Sequence, residues 1–131
     1  MKWIIAYIAA AGSFGALDAL WLRWAGPNFY RPAVGDLLAD EFRPAPALLF
    51  YAAYIAGIVW FAVKPGLSGG IAQAALNGAL LGALCYATYD LTNQATMRVW
   101  PSHVTAVDIA WGTFATALAA TVATIISQRF A

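Results

Sequence analysis

The feature that most constrains this chain is a long run without charge. From Ala45 to Val63 no residue is charged and almost all are apolar. Three other stretches come close to it. The first runs from Trp3 to about Trp24 and is interrupted by Asp18 and Arg23. Another runs from Ile71 to Tyr89 and continues past Asp90 to about residue 95, and the last covers residues 102–127 with Asp108 as its one charge. A helix needs roughly 20 mostly apolar residues to cross a hydrocarbon core of about 30 Å, and each stretch meets that length. Barrel strands would alternate apolar and polar residues with period two, and these segments do not alternate. The expected fold is therefore all-α: a four-transmembrane-helix bundle, read as a single integral membrane domain over residues 1–131.

Composition supports this reading. The chain is 63% hydrophobic and 10% charged, against about 45–50% and about 25% in soluble domains. The net charge of +1 comes with no basic run, so nothing tracks a phosphate backbone and no nucleic-acid partner is expected. The single cysteine, Cys85, excludes an internal disulfide and a cysteine-cluster metal site. The first span begins after Lys2 and contains small residues. Its apolar run continues through Phe14, Leu17, Leu20 and Leu22, past the length of a signal-peptide core, so the span is expected to be retained.

The connections are readable as well. Lys64-Pro65-Gly66-Leu67-Ser68-Gly69-Gly70 reads as a turn, and Pro101 is placed to open the fourth helix. In the longer first connection Val34, Leu37, Leu38 and Phe42 recur at helical spacing among Asp36, Asp40, Glu41 and Arg43. This predicts a short amphipathic helix in the membrane interface, bracketed by Pro32 and Pro44. Small residues recur every four positions at Ala11-Gly15-Ala19, Gly78-Gly82 and Gly112-Thr116-Ala120. That spacing lets helix backbones approach closely in lipid.

The polar residues are concentrated at one depth. In four antiparallel spans, Asp18 near the end of the first, Asp90 near the end of the third and Asp108 near the start of the fourth all fall toward the same surface. At a rise of about 1.5 Å per residue, each lies within about 10–15 Å of it. Asn93 shares a face with Asp90, three residues away. Trp21 follows Asp18 by three and Trp111 follows Asp108 by three, so each indole could serve a carboxylate on its own helix. Tyr86 precedes Asp90 by four, and Tyr30, Arg31, Arg98 and His103 belong to the same end. Intramembrane carboxylates are costly and face a bundle interior or watery cavity. The set reads as a polar pocket open to one membrane interface. Structural alternatives stand beside it: carboxylates paired with Arg23, Arg31 or Arg98, an interfacial His103, and an aromatic belt of Trp3, Trp21, Trp24, Trp60, Trp100 and Tyr30.

The stretches Leu17-Asp18-Ala19-Leu20-Trp21-Leu22, Phe29-Tyr30-Arg31, Leu49-Phe50-Tyr51, Tyr89-Asp90-Leu91-Thr92-Asn93 and Asp108-Ile109-Ala110-Trp111-Gly112 resemble a family of small bacterial membrane proteins. That family is described only as predicted membrane proteins with a domain of unknown function. The resemblance covers essentially the whole chain. It implies a multi-pass protein of the bacterial inner (cytoplasmic) membrane and brings no activity with it.

The residues suggest a protein that binds or processes a lipid-like or amphiphilic small molecule. Asp18, Asp90 and Asp108 are the candidate catalytic groups. Asn93, Arg31, Arg98, Trp21, Trp111, Tyr86, Tyr30 and His103 are the candidate ligand-binding residues, with the arginines placed to hold an anionic head group. An accessory subunit of a membrane complex and a small transporter are the alternatives. Partners are expected among membrane lipids, a lipid-like ligand, and a second copy or a membrane-complex subunit. Asp18, Asp90, Asn93 and Asp108 are hard oxygen donors, but no ligand motif joins them, so neither a metal nor a cofactor is expected.

Overall fold

A computed structural model of the chain describes residues 1–130. Its architecture is four long helices: α1 (Lys2–Leu37), α2 (Pro44–Gly69), α3 (Ile71–Thr96) and α4 (Ser102–Phe130). All four are long and apolar enough to cross a membrane, and no strand occurs among the described residues. Leu20, Leu49, Trp60, Leu84 and Phe114 are exposed along the outer faces, as a fold solvated by lipid requires.

The most buried helix is α4, which packs along both α1 and α3. Its inward stripe is Val104, Asp108, Gly112, Ala115, Ala119 and Ala123, with Thr116 and Ala120 beside it. The facing stripe on α3 is Ala74, Gly78, Gly82 and Asp90. A methyl added at Gly78 would lie 2.9 Å from the Ala120 Cβ and 2.9 Å from the Thr116 carbonyl oxygen. One added at Gly82 would strike the Gly112 carbonyl, and one added at Gly112 would enter the Tyr86 ring. The four-residue glycine spacing is thus the α3–α4 contact. The small-residue stripe of α1 behaves differently. Its packed face is Ala6, Ala10, Phe14 and Asp18, whereas Gly12 and Gly15 meet nothing within 4 Å. Large Phe14 anchors that face through edge-on contacts to Tyr51 and Tyr54, at centroid distances of 5.8 and 5.4 Å.

Two connections differ from the sequence expectation, and proline explains both. The short helix expected in the first connection is present over residues 31–37 but is not separate from the first span. Instead α1 continues through a wide π-helical turn, Gly26–Tyr30, to Leu37, and Leu38–Arg43 are non-helical. Within that turn the Arg31 N–H bonds the Gly26 carbonyl five residues back. Likewise, α2 does not turn at Lys64-Pro65 but passes through a π-helical turn, Val59–Val63, and ends at Gly69. A proline inside a helix removes one N–H and crowds the carbonyl four residues back. For Pro65 that carbonyl is Phe61, and it accepts a hydrogen bond from the Asn77 amide of α3 at 2.9 Å. Near Pro27, the Asn28 amide donates to the Trp24 carbonyl at 2.7 Å. A widened turn plus a borrowed side-chain donor lets each helix run through its proline. The chain reverses at Gly70, whose φ of 106° is the only positive value among the described residues and favours glycine. Pro101 stands immediately before α4, and its carbonyl accepts the Val104 N–H.

Candidate functional site

Asp18, Asp90 and Asp108 occupy positions in the buried stripes of α1, α3 and α4, where an apolar residue would complete the pattern. Helix packing therefore turns all three inward. Their exposures are 9%, 0% and 8%.

The carboxylates are partnered across helices, mainly by phenols. Tyr51 of α2 donates to Oδ2 of Asp18, and the Trp111 indole of α4 donates to its Oδ1 at 3.3 Å. Tyr30 donates to Oδ1 of Asp108 and accepts from the Trp21 indole at 3.1 Å. The same-helix pairing suggested by the spacing is therefore not the one that forms. Trp21 serves Tyr30, and Trp111 serves the acid of the neighbouring helix. The two indoles stack with centroids 4.8 Å apart and planes 12° from parallel. None of these hydrogen-bond partners is an arginine. A charge-assisted bond of this kind contributes about 1.5–3 kcal/mol, more than a neutral one.

Asp90 is the exception. Its carboxyl lies beside that of Asp108 and near the Trp100 indole, yet neither oxygen has a hydrogen-bond partner. The buried Trp100 Nε1 is also unpartnered. Burying a carboxyl without a compensating donor is expensive, so the protein holds an unmet electrostatic demand at this point.

These groups surround a cavity of about 590 Å³. Asp18, Asp108 and Asn93 line it together with Tyr30, Tyr86 and Tyr89, and its wall includes Trp21, Trp100 and Trp111. Val34, Leu37, Leu38 and Phe42 close over it from the first connection. The periodicity of those four residues thus marks a cover rather than a separate helix. A second hollow of about 370 Å³ lies between α2 and α3, lined by Phe50 and Cys85 together with Tyr86, Tyr89 and Asp108. Its last three residues also line the first cavity, so Asp108 borders both. A third hollow, about 330 Å³, lies between α1 and α2 against Trp3, Tyr7, Trp60 and Lys64 and has no acidic lining.

Seven of the residues singled out from the sequence line the main cavity: Asp18, Trp21, Tyr30, Tyr86, Asn93, Asp108 and Trp111. Asp90 sits behind its wall. Arg31, Arg98 and His103 are exposed and do not line it. His103 instead meets the Phe29 ring edge-on at 5.7 Å. Tyr51, Tyr89 and Trp100 were not read from the sequence as parts of the site. Their signals were weak: a tyrosine in an uncharged span, one directly before Asp90, and a tryptophan assignable to the aromatic belt. Among the described residues, no group of three or more His, Cys, Asp or Glu is arranged to hold a metal ion.

No curated protein and no solved structure matches the chain. The family model described as "Predicted membrane protein (DUF2177)" matches residues 3–125, nearly the whole length, and the chain accordingly belongs to that family of multi-pass membrane proteins of unknown function.

Proposed function

We propose that this membrane protein binds a lipid-like amphiphile at one end of its helix bundle, with Asp108 as the polar group that meets the ligand. The observation that carries this reading is the shared lining of two hollows. A cavity of about 590 Å³ with two carboxylates and an apolar slot of about 370 Å³ between α2 and α3 share Tyr86, Tyr89 and Asp108 in their walls. Volumes of this order suit small-molecule ligands, which are usually held by apolar walls and a few placed polar groups. A head group would occupy the larger space and a chain would lie in the slot.

A transport path is less favoured, because the core beyond this end is closed by Ala6, Ala10, Ile58, Ala62, Ala119 and Ala123. The test is native mass spectrometry of protein released from mild detergent, comparing wild type with Asp108→Asn. A discrete amphiphile that copurifies with wild type and is lost from the folded variant supports the proposal. Wild-type protein that carries only bulk lipid, unchanged in the variant, overturns it.

A further inference from the structure

We propose that the head group taken by this cavity is cationic, an organic ammonium, rather than the anionic head group that arginines at this end would suggest. This rests on the amphiphile reading above and specifies its ligand class. The first argument is charge. Asp18 and Asp108 line the cavity, and no lysine, arginine or histidine is among its lining residues. Arg31 and Arg98 are exposed and outside that lining.

The second argument is the wall. Trp21 and Trp111 present a stacked indole pair, and Tyr30, Tyr86, Tyr89 and Trp100 add further rings. Aromatic faces attract cations through the ring quadrupole, most strongly when water is excluded, and aromatic cages recognise quaternary ammonium groups. The ring faces offer an anion no such attraction, and the Trp21 and Trp111 N–H groups are already given to Tyr30 and Asp18.

The third argument is Asp90. It is fully buried beside Asp108 with both oxygens unpartnered. Neither acid of this adjacent pair has a lysine, arginine or histidine among its hydrogen-bond partners. A cation held against Asp108 would supply the compensation that the protein's own side chains do not. Asp108, which lines the cavity, is the contact, and Asp90 stands behind it.

The decisive experiment uses three single-chain amphiphiles with the same brominated alkyl chain. Their heads are trimethylammonium, phosphate and an uncharged glycerol ether. Binding is read from quenching of tryptophan fluorescence with the full-length protein in nanodiscs of uncharged lipid. The ammonium amphiphile should bind about tenfold more tightly than either of the others, the scale of one desolvated cation–π contact with an aromatic wall. Asp108→Asn should remove that preference. Asn93→Asp, which adds a carboxylate to the cavity lining, should increase it, and this gain keeps the test decisive if Asp108→Asn does not fold. Equal saturable binding of all three heads, or a preference for phosphate, overturns the cationic assignment while leaving the amphiphile reading standing. Absence of saturable quenching by any of the three overturns both.

Discussion

Asp18 and Tyr51 lie on neighbouring helices and are joined through the Tyr51 hydroxyl, which donates to the aspartate Oδ2. Trp111 occupies the other oxygen of the same carboxylate. One buried acid thus ties α1 to both α2 and α4. Tyr30 does the corresponding work for Asp108. The end of the bundle that contains the cavity is held by these directional bonds, and the core beyond it by packing of Ala6, Ala10, Ala119 and Ala123.

Removing the phenol should weaken this junction measurably. Tyr51→Phe keeps the ring that packs on Phe14 but leaves Oδ2 of Asp18 without its donor. The expected loss is about 1–2 kcal/mol, near the upper range for interhelical hydrogen bonds in membranes because the acceptor is a carboxylate. Chemical denaturation in mixed micelles measures it. Tyr7→Phe is the control, since Tyr7 reaches only an exposed Ala52 carbonyl at 3.0 Å. Equal effects at the two sites would show that the Asp18 bond contributes no more than an ordinary surface contact.

Asp90→Asn should stabilise the fold. The amide is close in shape to the carboxyl, removes a buried acid with no partner, and offers a donor to Asp108 beside it. The expected gain is about 1 kcal/mol, the net value of a typical hydrogen bond. A rise in thermal midpoint together with weaker ligand retention would mark a site whose stability has been traded for binding. A falling midpoint would show that the Asp90 carboxyl is satisfied in a way the amide cannot reproduce.

Glycine substitutions should divide sharply by position. Gly82→Ala and Gly112→Ala drive a methyl into the Gly112 backbone and the Tyr86 ring respectively, and overpacking of this kind costs about 1–3 kcal/mol or more. Gly15→Ala meets open space and should be neutral or slightly stabilising, because alanine is the better helix former. Thermal midpoints of the three variants in one detergent decide the point. Destabilisation by Gly15→Ala equal to that of Gly82→Ala would place a helix contact on the outer face of α1.

Pro65 and Asn77 should be energetically coupled. Asn77 donates to the Phe61 carbonyl, which the proline ring at position 65 cannot serve. Asn77→Leu should cost about 1 kcal/mol in the wild-type background. In a Pro65→Ala background the restored N–H can take over that carbonyl, and the cost of Asn77→Leu should fall to near zero. A double-mutant cycle measures the difference. Additive effects would mean that the Phe61 carbonyl is satisfied independently of either residue.

The number and kind of helices were legible in the sequence because they depend on local quantities. Uncharged runs such as Ala45–Val63 are long enough to cross a bilayer, and Gly78, Gly82 and Gly112 announce a close helix contact through their spacing. The one-sided position of Asp18, Asp90 and Asp108 was also legible, since helix rise converts residue number into depth. Partners were not. Asp18 bonds Tyr51 and Trp111, and Asp108 bonds Tyr30, because helix rotation and neighbour order decide which side chains face one another across a bundle. Hydropathy contains no information about either. The prolines misled for a related reason. Pro65 reads as a stop, but a tertiary donor, Asn77, meets the need it creates, and the helix goes on. The place of Val34, Leu37, Leu38 and Phe42 in a cavity wall likewise exists only because α1, α3 and α4 meet there. What depends on counting residues along one helix was fixed before folding, and what depends on two helices meeting was settled by packing.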